Sequence, residues 1–174
     1  MNNFRFLVSA VALCISLTVV AQQKGNFAAG LNLLPGLYPN NGIGIGIAPN
    51  VLYNVTDQIR FAGELGFSIG KQDIELTTMT VSINDFSVYG HYLISQETWA
   101  FYPLVGFGMF RTKGEATELG VTVSHSEKSS VFTLGAGIDG FFQKTPNLMF
   151  RVEFRLKIHG DTHLIVAPGL TYRF

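Results

Sequence analysis

From Leu148 to Ile158 the chain alternates strictly between apolar and charged positions. Leu148, Phe150, Val152, Phe154, Leu156 and Ile158 form one set; Met149, Arg151, Glu153, Arg155 and Lys157 form the other. A period of two predicts a β-strand with one apolar and one charged face, because a helix would mix the two sets. The stretch covers the ~9–11 residues that a tilted strand needs to cross a bilayer.

The same reading predicts eight strands. They run from Asn26 to Leu33, Gly42 to Val55, Ile59 to Gly70, Met79 to Ile94, Trp99 to Arg111, Ser129 to Gln143, Leu148 to Ile158 and Thr162 to Phe174. Short turns are expected around Asp57, Gln96 and Thr145. Longer polar loops are expected at Leu34–Asn41, Lys71–Thr78 and Thr112–Lys128, with a tight turn at Gly160 breaking the alternation. Antiparallel strands with short turns at one end and long loops at the other predict an all-β, eight-stranded, antiparallel up-and-down transmembrane β-barrel.

A soluble barrel also alternates, with its apolar face inward. Two features favour the opposite orientation. Glycines 44, 46, 66, 106, 108, 135, 137 and 169 fall on the charged face. Close approach inside a narrow barrel gives them a reason, and an open solvated face does not. Aromatics gather on the apolar face beside the short turns: Tyr53, Phe61, Tyr92, Trp99, Phe101, Phe142, Phe150, Tyr172 and Phe174. Such a girdle belongs at a membrane–water interface. Slipping the Leu148–Ile158 strand by one residue would aim its charges at lipid, at ~2–4 kcal/mol per basic residue near the midplane.

The N-terminus reads as a processing segment. Arg5 supplies the charge, Phe6 to Val20 is mostly apolar, and Val19-Val20-Ala21 suits signal peptidase. Cleavage is expected after Ala21, leaving residues 22–174 as one barrel domain. Cys14, the only cysteine, would leave with that segment; Leu13 before it does not suit a lipoprotein signal. The mature chain would then have no disulfide or thiol chemistry. The whole chain has zero formal net charge, which excludes a basic nucleic-acid binder.

The expected lumen holds Arg60, Glu64, Asp85, His91, Asp139, Arg151, Glu153, Arg155, Lys157 and Arg173. Buried charges require partners, and side chains fill most of an eight-stranded interior. A packed, salt-bridged core is therefore expected, with a narrow path for water, ions or small solutes as the alternative.

Other motifs weigh less. Gly135-Ala-Gly-Ile-Asp-Gly140 matches G-x-G-x-x-G, but a dinucleotide site needs a helix after it, and here it lies within an alternating strand. Ser124-His125-Ser126-Glu127 invites a hydrolase reading, but neighbouring strand residues point to opposite faces. His91, His159 and His163 lack metal-ligand spacing. No catalytic, metal or cofactor site is expected.

The mature chain resembles the small OmpA/OmpX-type outer-membrane barrels. The likeness is architectural, and its sharpest motif is Leu170, Tyr172 and terminal Phe174 at alternate positions. That ending resembles the signal read by the barrel-assembly machinery. The resemblance implies an outer-membrane location, contact with membrane lipid and lipopolysaccharide, and a structural or surface-interaction role through the outer loops. It also implies a third possibility, a lipid A-modifying enzyme, since small barrels that deacylate lipid A use Ser, His and Glu.

Overall fold

The computed structural model describes residues 27–38, 42–74, 77–95, 99–118 and 121–174. The expected signal segment 1–21, with Arg5 and Cys14, lies outside the described residues. So does Asn26, the expected first strand residue.

The strands are β1 (Phe27–Tyr38), β2 (Gly42–Asn54), β3 (Ile59–Ile74), β4 (Thr77–Tyr92), β5 (Ile94–Ser95), β6 (Trp99–Glu118), β7 (Val121–Phe142), β8 (Thr145–His159) and β9 (Asp161–Arg173). The two-residue β5 continues β4 across Leu93, so the nine segments make eight staves. Each pairs antiparallel with its sequence neighbour, and β1 pairs with β9. β4 and β6 pair directly. The ring is therefore closed. The Phe174 amide donates to the Phe27 carbonyl at 3.0 Å, extending the closing seam to the last residue. Closure satisfies the backbone between staves and leaves no open edge within the hydrocarbon.

Side chains sort by parity. On β6, Phe101, Val105, Phe107 and Met109 are exposed, whereas Ala100, Tyr102 and Leu104 are buried. On β8, Phe150, Phe154, Leu156 and Ile158 are exposed, whereas Met149, Arg151, Glu153 and Arg155 are buried. The barrel wears its apolar residues outside and its charges inside. That arrangement is stable only where hydrocarbon surrounds it.

The described parts of three expected loops are instead ladder. β1 continues to Tyr38, β3 and β4 pair as far as Ile74↔Thr77, and β6 and β7 pair as far as Glu118↔Val121. The apolar alternation stops where both faces of the hairpin meet water, but backbone pairing does not depend on it. Among the described residues, the projecting part of β7 has pairing on one side only: its ladder with β8 begins at Phe132.

Glycines face the bulkiest inward side chains. Gly106 lies opposite Tyr89, and Gly137 lies opposite Tyr102. A Cβ at Gly137 would stand 2.5 Å from the Tyr102 hydroxyl. The tyrosine rings occupy space that any larger residue on the next strand would need.

Candidate functional site: the charged interior

β3 and β8 stand opposite one another in the ring. Glu64 on β3 and Arg155 on β8 span the interior in a two-pronged ion pair: Arg155 donates from Nη1 to Oε1 at 2.6 Å and from Nη2 to Oε2 at 2.8 Å. Asn32 on β1 donates to the same Glu64 at 2.8 Å. Arg155 also donates from Nε to Glu153 at 2.8 Å, and its guanidinium lies over the Tyr89 ring at 4.6 Å.

A second centre forms on Asp139 of β7. Arg60 donates to Oδ2 at 2.6 Å, and Arg151 donates from Nε to Oδ1 at 2.8 Å. Tyr102 joins the centres: its hydroxyl lies 2.7 Å from Glu153 and 3.1 Å from Asp139, with one proton to give. His91 stacks on the Tyr102 ring at 4.7 Å and accepts from Arg60 Nε at 3.0 Å through Nδ1. An accepting Nδ1 places the ring proton on Nε2 and makes His91 neutral.

A third pair joins Lys157 of β8 to Asp85 of β4 at 2.6 Å. Together the three groupings hold Arg60, Arg151, Arg155 and Lys157 against Glu64, Asp85, Asp139 and Glu153, four charges of each sign. Lys157 is the most open of them, its side chain 14% exposed. The Arg173 guanidinium lies 5.4 Å from the centre of the Phe141 ring. Around the network pack Ala28, Leu52, Ala62, Leu93, Leu104 and Met149.

Tyr89, Tyr102 and Asn32 belong to this centre although charge patterning did not single them out. Their signal was their parity, since each alternates with outward-facing apolar residues. On the side formed by β1, β2 and β9, Asn32 Oδ1, Asn50 Oδ1 and Thr171 Oγ1 have no hydrogen-bond partner among the described residues.

The aromatics Tyr53, Phe61, Tyr92, Trp99, Phe101, Phe142, Phe150 and Tyr172 are exposed at the outer surface. Phe142 and Phe150 meet edge to face at 5.9 Å, and Tyr172 and Phe174 at 5.2 Å. Leu170 is exposed on the same face of β9 as Tyr172.

Gly135 to Gly140 lie within β7, with no helix following. Ser124, His125, Ser126 and Glu127 are also within β7 and exposed, correcting their expected placement in a loop. His159 Nδ1 lies 2.9 Å from the Ser130 carbonyl, and His163 is exposed. Among the described residues, no group of three or more His, Cys, Asp or Glu could hold a metal.

The family profile described as outer membrane protein beta-barrel domain matches residues 7–174. The fold is similar to that of Ail, the attachment invasion locus protein of Yersinia pestis. The two share 18% identity over 86% of this chain and 99% of Ail, with a TM-score of 0.59. It is also similar to the N-terminal β-barrel domain of Pseudomonas aeruginosa OprF, with 15% identity, 86% and 98% coverage and a TM-score of 0.53. Neisserial surface protein A gives 13% identity, 85% and 95% coverage and a TM-score of 0.58. None of the curated proteins matches the sequence.

Proposed function

This chain belongs to the outer-membrane β-barrel family, and from that premise we propose that it acts at the cell surface through its projecting hairpins rather than as a channel or an enzyme. The barrel lies in the outer membrane. The observation that carries the reading is the diameter-spanning Glu64–Arg155 pair, built into an interior of paired charges. A wide aqueous path would require those charges to part, and each would then need another partner. The projecting β6–β7 hairpin leaves part of one β7 edge without a partner strand among the described residues. Exposed edges pair readily with other chains, so this is the surface we assign to partner contact.

We further propose that residues 1–21 direct export and that residues 22–174 are the mature chain. The outward aromatics form the interface girdle, and Leu170, Tyr172 and Phe174 engage the barrel-assembly machinery.

The test replaces Thr112–Glu127 with a tight turn and compares cells carrying this protein with cells carrying the full chain. Surface adhesion should fall while permeability to small solutes stays the same. Altered permeability with unchanged adhesion would overturn the reading. The unpartnered buried oxygens of Asn32, Asn50 and Thr171, with Asp85 Oδ1, Ser87 Oγ and Thr133 Oγ1 elsewhere around the ring, favour a second reading, a narrow water path through the interior. A planar-bilayer current that changes in Arg155→Ala would support it; no current in either protein leaves the packed core.

A further inference from the structure

Arg60 and His91 face each other across β3 and β4, and only 4% and 3% of their surfaces are exposed. Arg60 donates from Nε to His91 Nδ1 and from Nη1 to Asp139. Its Nη2 keeps its protons, and His91 Nε2 carries the ring proton. Neither Nη2 nor Nε2 has a hydrogen-bond partner among the described residues. The other buried side-chain atoms in that position are amide, carboxylate or hydroxyl oxygens, which can accept. Arg60 Nη2 and His91 Nε2 can only give. A buried donor without an acceptor is costly, most of all on a charged group.

Charge is uneven in the same region. Arg60 and Arg151 share the carboxylate of Asp139. Glu153 lies 3.6 Å from Arg151 but is held by Arg155. The Asp139 grouping therefore carries an excess of positive charge, and the grouping of Arg155 with Glu64 and Glu153 an excess of negative charge. The wall beside His91 is also interrupted. The ladder of β4 with β6 ends at His91↔Leu104, and pairing resumes at Ile94↔Phe101. Pro103, in the interval, has no N–H to give, and the Leu93 amide donates to the Gln58 carbonyl at 2.7 Å. A cavity of about 330 Å³ lies at this break, lined by Asp57, Gln58, Tyr92, Leu93 and Ile94. Leu93 also packs in the buried cluster with Ala62, Tyr102 and Leu104, so it borders both the cavity and the interior.

We propose that Arg60 Nη2 and His91 Nε2 together hold a small monovalent inorganic anion of the chloride type, which enters from the short-turn end past Leu93. The anion accepts both hydrogen bonds, one of them from a cation, and offsets the positive excess around Asp139. Asn54, the neighbour of Arg60 on β2, has an unpartnered Oδ1; turning its amide over would bring Nδ2 as a third donor. Water would receive the same two bonds but leave the local charge unbalanced. Phosphate or sulfate, with more charge and more oxygens, would find too few donors. The site lies at the other end of the barrel from the hairpin assigned to partner contact, so either proposal can fail alone.

The test uses bromide as the probe, on the full chain. Crystals grown in bromide should show an anomalous peak within hydrogen-bond distance of both Arg60 Nη2 and His91 Nε2. Bromide elsewhere only, or density at the pair without anomalous signal, would mean an adventitious ion only or a water, and overturns the assignment. A second arm follows urea unfolding in lipid bilayers, with bromide exchanged for gluconate at constant ionic strength. The unfolding equilibrium constant should fall roughly tenfold for each tenfold rise in bromide above its dissociation constant. His91→Phe keeps a ring against Tyr102 and removes the Nε2 donor, and the bromide dependence should vanish. Lys144→Gln, at an exposed turn, should keep it. Should His91→Phe fail to fold, the wild-type crystal decides. An unchanged dependence in His91→Phe, or none in the wild type, overturns the assignment.

Discussion

Glu64 and Arg155 are 91 positions apart in sequence, yet their side chains meet across the barrel at 2.6 and 2.8 Å. Both are almost completely buried. Removing one partner strands the other in a site with little water, which typically costs ~3–5 kcal/mol. Glu64→Gln and Arg155→Met should each lower stability by that order in a urea titration of the bilayer-folded protein. The double variant should lose clearly less than the two losses combined, because neither removal then leaves Glu64 and Arg155 facing an absent partner. Strict additivity would show that the two groups do not interact.

Tyr102 offers a finer test. Its hydroxyl serves Glu153 and Asp139, while its ring stacks with His91 and lies 4.6 Å from the Arg60 guanidinium. Tyr102→Phe keeps the ring and removes only the hydroxyl. The expected loss is ~1.5–3 kcal/mol, the range for hydrogen bonds to charged groups. Tyr102→Leu also removes the aromatic face and should cost more. Equal losses in equilibrium unfolding would assign the whole effect to the hydroxyl.

The sequence showed which residues point inward, but not which of them meet. Alternation from Leu148 to Ile158 sets the faces of β8 because oil and charge cannot share a side. Partner choice depends on closure and register, which place β3 opposite β8 and Arg60 near Asp139; no local pattern encodes those distances. Tyr89, Tyr102 and Asn32 were less visible because uncharged polar or aromatic residues suit either face. The Thr112–Lys128 hairpin was obscured for another reason. Above the membrane both its faces meet water, so its side chains cease to alternate while its backbone stays paired.

Glycine substitutions should separate close approach from conformational preference. At Gly135 a Cβ would come 2.2 Å from the Phe154 carbonyl oxygen, which belongs to the neighbouring backbone. At Gly137 it would meet the Tyr102 ring and hydroxyl, already held by their partners. At Gly63 there is open space within 4 Å. Gly135→Ala and Gly137→Ala should destabilise by about 1–3 kcal/mol or more, as overpacking does. Gly63→Ala should be neutral or slightly stabilising, since alanine restricts the unfolded chain. Similar urea midpoints for all three would contradict crowding as the reason for the inward glycines.

The most direct measurement is lipid contact along β8. A fluorophore is attached in turn at each position from Met149 to Ile158 in the bilayer-folded protein, and its quenching by brominated acyl chains is recorded. Quenching should oscillate with a period of two, high at Phe150, Phe154, Leu156 and Ile158 and low at Arg151, Glu153 and Arg155. A flat profile, or one with the opposite phase, would contradict an apolar exterior around a charged interior.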